Sequence, residues 1–102
     1  MHKLPANLPL TPRSRPLTLA GLRGFEAAAR LASLTQAAYE LSLTQSAVSR
    51  QVQGLEEELG VALFVRKARE IVLTPEGREF LPLVQQVLGE LDLGVERLRR
   101  DV

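Results

Sequence analysis

The sequence contains no cysteine. That removes disulfide frameworks, cysteine-based zinc sites and thiol nucleophiles. Its one histidine, His2, lies in a proline-rich lead-in. Little is left for imidazole acid–base chemistry or histidine-rich metal sites. No apolar run approaches the ~18 residues that a membrane span needs. The N-terminus has no apolar stretch of signal-peptide length, so the expected compartment is the cytosol. Net charge is also nearly absent, with 13 Lys+Arg against 12 Asp+Glu. Any binding to nucleic acid must therefore come from local clustering of positive charge. What is present is a chain of 102 residues, 45% of them apolar. This length suits one domain or a piece of a larger protein, and the composition suits a globular fold rather than wholesale disorder.

Charge is unevenly placed. Residues 1–17 hold Lys3, Arg13 and Arg15 and no acid, while residues 61–73 hold Arg66, Lys67 and Arg69 against Glu70. Residues 18–60 and 74–102 are each net acidic. The first basic segment also contains Pro5, Pro9, Pro12 and Pro16. Proline fixes φ and lacks an N–H, so residues 1–17 read as an extended, flexible basic arm. It is either a loose tail or an arm that touches phosphates through Arg13 and Arg15.

Thr18 can cap a first helix over about 19–32, with Leu22, Phe25 and Ala29 along one face. Ser33-Leu34-Thr35-Gln36 has the S-x-x-Q form of a capping box and opens a short helix ending near Leu41. Ala37, Ala38 and Leu41 let another helix pack closely. Ser42-Leu43-Thr44 breaks the pattern, and Thr44 can cap a third helix from Gln45 to Leu59, stopped by Gly60. Val48, Val52, Leu55 and Leu59 form its apolar stripe. Ser46, Ser49, Arg50 and Gln53 lie on the opposite face. A short helix, a tight break and a longer helix with a polar N-terminal face make a helix-turn-helix pattern.

Phe64-Val65-Arg66 and Ile71-Val72-Leu73 are β-prone and joined by a loop of hairpin length that lacks Gly or Asn. Each arm is too short for a helix, so a small β wing is expected. Thr74-Pro75 then starts a last helix, expected over 75–102. Phe80, Val84, Val87, Leu91 and Leu98 follow a seven-residue a/d pattern, with Gly77 and Gly94 at two of its slots. Leu81, Leu88 and Val95 lie beside it. Pro82 is expected to weaken or kink this helix. So long an apolar stripe needs a cover, either a second copy or a surface within the chain.

Taken in order and spacing, several strings resemble one family. They run from Phe25-Glu26-Ala27-Ala28-Ala29-Arg30 through Ser33-Leu34-Thr35-Gln36-Ala37-Ala38 and Leu41. They continue through Thr44-Gln45-Ser46-Ala47-Val48-Ser49-Arg50-Gln51-Val52, Leu55-Glu56, Leu59-Gly60 and Leu63-Phe64-Val65-Arg66 to Leu73-Thr74-Pro75-Glu76-Gly77. This stretch resembles the N-terminal DNA-binding domain of LysR-type transcriptional regulators. Phe25 to Arg30, with the proline-rich lead-in, resembles the glycine-cleavage-activator and β-lactamase-activator branch.

The resemblance implies a mainly α fold with a small hairpin. A winged helix-turn-helix over 18–74 would be followed by a linker helix that pairs two subunits. It implies sequence-specific binding of double-stranded DNA, at an interrupted palindrome, by a bacterial, nucleoid-associated regulator. Full members carry a larger effector-binding domain after this helix. On that comparison the chain reads as a DNA-binding part alone, with any small-molecule effector confined to that domain. No cofactor is expected.

Within this reading the third helix enters the major groove by its N-terminal end. Gln45 can pair with an adenine edge or donate to guanine, and Arg50 suits guanine or a phosphate. The resemblance puts Gln45, Ser46, Ser49 and Arg50 at DNA-facing positions, and Gln53 shares their face. Ser33 and Thr35 open the second helix, where free N–H groups suit a phosphate as well as a cap. Arg66 and Arg69 reach the backbone or minor groove, or are solvated. Tyr39 can pack on the domain or offer its hydroxyl to a phosphate, and packing is the expectation. Glu56-Glu57-Glu58 should lie away from the phosphates. Two rivals remain, a winged helix that binds protein and the DNA-binding domain of another regulator, such as a molybdate-responsive repressor. An enzyme is the weakest reading, because the sequence has no phosphate loop, no metal-ligand spacing and no nucleophile–base set.

Overall fold

The computed structural model describes residues 17–68 and 70–100. The basic arm, apart from Leu17, and Arg69 lie outside the described residues. Six elements follow one another: α1 (Leu19–Leu31), α2 (Leu34–Leu41), α3 (Gln45–Leu59), β1 (Phe64–Lys67), β2 (Glu70–Leu73) and α4 (Pro75–Arg100). The strands pair antiparallel, with Phe64 opposite Leu73 and Lys67 opposite Glu70. The hairpin is thus one residue longer on each arm than its β-prone cores, and Ala68 in the turn takes a φ of 51°. None of the described helices is long and apolar enough to cross a membrane.

Each helix starts on a hydroxyl. Thr18, Ser33, Thr44 and Thr74 accept from the N–H groups of Gly21, Gln36, Ala47 and Gly77. The Ser33 box closes on one side only, because the Ser33 N–H donates back to the Ala28 carbonyl at 3.2 Å. That bond belongs to the end of α1, where Ala32 turns left-handed at φ 53°. The end of α2 repeats the device. Leu43 N–H reaches the Ala38 carbonyl at 2.9 Å around a left-handed Ser42. These paired bonds let the chain reverse without leaving carbonyls unsatisfied. They hold α2 and α3 at a short, fixed separation.

Two apolar clusters build the core. Ala27 and Ala28 of α1, Leu34, Ala37 and Ala38 of α2, and Val48 and Val52 of α3 form one. The alanines permit the close approach that their small size suggests. Phe25, Leu55, Leu63, Val84 and Leu88 form the other, joining α1 and α3 to the wing and α4. Phe25 is fully buried and its ring lies 5.5 Å from Phe64 and 5.7 Å from Phe80.

This second cluster corrects part of the a/d reading of the last helix. Phe80 and Val84 do not face outward with Val87, Leu91 and Leu98. Val84 is 2% exposed and both pack in the chain's own core. The cause is that α4 folds back onto α1. Arg23 donates to Asp92 at 2.8 Å, and Gln85 donates to Glu26 at 3.3 Å. The Arg23 guanidinium holds the Asp92 carboxyl below its ordinary range. That contribution is present above the ordinary aspartate range and is lost as the pH falls through it. The pair is exposed, so it fixes geometry more than it stabilises. α4 runs unbroken through Pro82, which lies on its exposed side. Leu83, Val87, Leu91 and Leu98 remain exposed along one line.

Glu56 has a role that no helical pattern reveals. Its carboxylate accepts from the N–H groups of Leu63 at 2.7 Å and Phe64 at 3.2 Å. It thereby ties the end of α3 to the start of the wing. Glu56→Ala leaves two part-buried donors without a partner, at a cost of about 1–3 kcal/mol. Thermal melting should show the domain destabilised, with Glu56→Gln losing less. An unchanged melting temperature would mean that water replaces the carboxylate.

Candidate nucleic-acid interface

The capped start of α3 sets out Ser46, Ser49, Arg50 and Gln53 on the side away from buried Val48, Val52 and Leu55, with Gln45 exposed at its first turn. All are exposed except Ser49, which is half-buried. The fold brings the start of α2 beside them. Thr35 Oγ1 donates to Gln45 Oε1 at 3.0 Å. The wing reaches the same place from the other side, with Arg66 Nη2 donating to Ser49 Oγ at 2.9 Å. Ser46 Oγ lies 3.3 Å from Thr44 Oγ1. Between these three elements is a concave notch of about 180 Å³, lined by Ser33, Thr35, Gln45, Arg66, Glu70 and apolar neighbours. Seven of the nine residues read as DNA-facing thus meet around two helix N-termini and the wing. Gln53 continues the α3 face, and Arg69 falls outside the described residues.

Ion pairing sharpens the picture. Arg30 is held by Glu26 and Glu40, which raise its pKa further above its ordinary value, while Arg30 lowers that of Glu40. Arg23 is held by Asp92. Arg50, Arg66 and Lys67 have no acidic partner among the described residues. In the helix-turn-helix and wing, the cations left available are those around the start of α3 and the hairpin. Helix N-termini add partial positive charge at the same edge. The arrangement can take up phosphates at its rim and present hydrogen-bonding side chains to a groove between them.

Two placements differ from the sequence reading. Tyr39 does not pack on the domain; it is 89% exposed, on the side of α2 away from Leu34, Ala37 and Ala38. Lys67 joins the unpaired cations, though the reading of the wing used only Arg66 and Arg69. Its place in the basic run 66–69 was the available signal. Glu56 engages its carboxylate with the start of the wing.

The fold and this edge define a winged helix-turn-helix domain with a recognition helix flanked by free cations. Residues 19–78 match the model of the bacterial regulatory helix-turn-helix protein, lysR family, and the chain belongs to that family. The family is one of regulators rather than enzymes. The HTH-type transcriptional activator AmpR of Pseudomonas aeruginosa is 57% identical over 68 residues, which are 67% of this chain and 23% of that protein. The glycine cleavage system transcriptional activator of Escherichia coli is 42% identical over 81 residues, covering 79% of this chain and 27% of the other. The chain thus spans about a quarter of the length of these curated relatives. Among solved structures, the BenM DNA-binding domain in complex with benA site 1 DNA is 39% identical with a TM-score of 0.74. That match covers 83% of this chain and 99% of the other.

Proposed function

We propose that this chain binds double-stranded DNA sequence-specifically, as a homodimer, and serves transcription regulation in the bacterial cytoplasm. The N-terminal end of α3 enters the major groove, where Gln45, Ser46, Ser49, Arg50 and Gln53 meet base edges. The starts of α2 and α3, with Ser33 and Thr35, sit against the phosphates of the groove wall. Arg66, Lys67 and Arg69 supply phosphate contact from the wing. The exposed line on α4 pairs two copies and so sets two half-sites. The observation that carries the reading is the edge itself. The unpaired cations of the helix-turn-helix and wing gather beside a capped polar helix face, in a domain similar to one solved on DNA.

Selection of bound duplexes from a random DNA pool tests it. An interrupted palindrome should be enriched. Recovery of unselected sequences, or no duplex binding that weakens with salt, would turn the surface over to a protein partner. On the enriched duplex, Arg50→Ala should cost about 1–3 kcal/mol and relax preference at one position per half-site. Arg69→Ala should instead weaken all duplexes alike and reduce the salt slope by about one per subunit. An unchanged slope would remove the wing tip from the phosphate contacts.

A further inference from the structure

The fold leaves Tyr39 almost wholly in water, and its hydroxyl has no partner among the described residues. Its place on α2 is informative. This helix buries Leu34, Ala37 and Ala38 and turns Thr35, Gln36, Tyr39 and Glu40 outward. Thr35 and Tyr39 are four residues apart, so they share one line on the outer side, about 6 Å apart along the axis. Helical side chains lean toward the start of their helix, which carries the Tyr39 ring toward Thr35. Thr35 marks the side of α2 that adjoins the recognition face, because it donates to Gln45 Oε1 at the start of α3 at 3.0 Å.

In a helix-turn-helix the first helix of the motif, here α2, crosses the DNA backbone while the second enters the major groove. A tyrosine on this line of α2 meets phosphate and sugar rather than base edges. A phenolic O–H is one of the neutral donors that bond phosphate oxygens. The local charge permits the approach. Glu40, the one acid of α2, follows Tyr39, and its carboxylate is taken by Arg30 of α1 at 3.1 Å. That pairing offsets a charge that would repel a phosphate from the outer side of the helix.

Resting on the DNA-binding reading above, we propose that Tyr39 is a positioning residue of the interface. Its hydroxyl donates to a backbone phosphate where α2 crosses the DNA strand, and so helps to fix the seat of α3 in the groove without reading a base.

The test uses the whole chain and the duplex it enriches. Tyr39→Phe removes the hydroxyl and keeps the ring, and at so exposed a position the melting temperature should not change. Affinity should fall by about tenfold per half-site, for preferred and altered sequences alike. The salt slope should stay as it is, since no charge is lost, whereas loss of a wing cation lowers it. Duplexes carrying a neutral methylphosphonate at one phosphate at a time locate the contact. At one phosphate per half-site, the loss this causes should be about tenfold smaller in Tyr39→Phe than in the unsubstituted protein. Undiminished affinity in Tyr39→Phe overturns the proposal while leaving DNA binding intact. So does a changed preference at one base pair, or a loss that appears in Tyr39→Ala alone. Failure of the unsubstituted chain to enrich any duplex overturns the DNA-binding reading and this proposal with it.

Discussion

Gly77→Ala should strongly destabilise the domain, although alanine is the better helix former. A Cβ at Gly77 would lie 2.3 Å from the Leu63 carbonyl oxygen and 2.8 Å from Leu73 Cδ2. The first obstacle is backbone and is pinned on both sides. The Leu63 N–H is held by Glu56 at 2.7 Å, and the Leu63 carbonyl accepts from Thr74 N–H at 3.0 Å. Leu63 itself is 1% exposed in the second core cluster, so it has little room to retreat. Helix propensity favours alanine by ~1 kcal/mol. Overpacking against a fixed backbone costs ~1–3 kcal/mol and sometimes more. At this site the obstacle is fixed backbone, so the upper end of that range applies, and we expect a net loss of about 2 kcal/mol, with a melting temperature lower by roughly 8–16 °C. Gly89→Ala is the matched control, because nothing lies within 4 Å of its added Cβ. It should raise the melting temperature, by roughly 4–8 °C. Opposite signs for one substitution on one helix would show the clash. A Gly77→Ala domain as stable as the unsubstituted one would show that the wing base can yield.

The contrast shows which features a sequence makes legible. Thr18, Ser33, Thr44 and Thr74 each precede an apolar-periodic run, and each caps a helix, because capping is decided within three residues. The polar face of α3 was readable for the same reason, since one helix's periodicity separates Ser46, Ser49, Arg50 and Gln53 from Val48, Val52 and Leu55. Phe80 and Val84 were misplaced because a seven-residue repeat fits a seam with a second copy and a seat on α1 equally well. Phe25 decides between them, and it lies some 55 residues away in the sequence. Tyr39 went astray because aromatic character argues for burial while its position on α2 argues against it. Glu56, Thr35 and Arg66 act across turns and elements on Leu63, Gln45 and Ser49. Their partners are set by tertiary placement, so no local spacing announces them. The sequence puts these side chains at the starts of neighbouring elements, but not which of them bond to one another.

Val87→Asp should convert the protein to a monomer and take most of its affinity for a two-half-site duplex with it. Val87 sits midway along the exposed line of Leu83, Val87, Leu91 and Leu98, on the side of α4 not covered by α1. Exposed apolar side chains at helical spacing, on a helix of 26 residues whose other flank is already packed, suit an antiparallel or parallel partner helix. Aspartate there would enter the pairing surface twice, once from each copy, with no cation on the line to meet it. A buried unpaired charge costs several kcal/mol, and the pairing surface would carry that cost twice. Each half-site would then bind alone. The gain from linking two binding events is on the order of 10²–10⁴ in affinity, and this is what the palindrome should lose. Binding to a single half-site should change little, because Val87 is exposed on α4 and is not among the side chains gathered at the start of α3 and the wing. Leu93→Asp provides the control, since Leu93 is also exposed but lies off the line. It should leave both sedimentation and palindrome affinity close to those of the unsubstituted protein. A Val87→Asp protein that still sediments as a dimer would place the seam on another face of α4. If it sediments as a monomer yet binds the palindrome undiminished, the two half-sites are read independently and the pairing of α4 is not what sets their spacing.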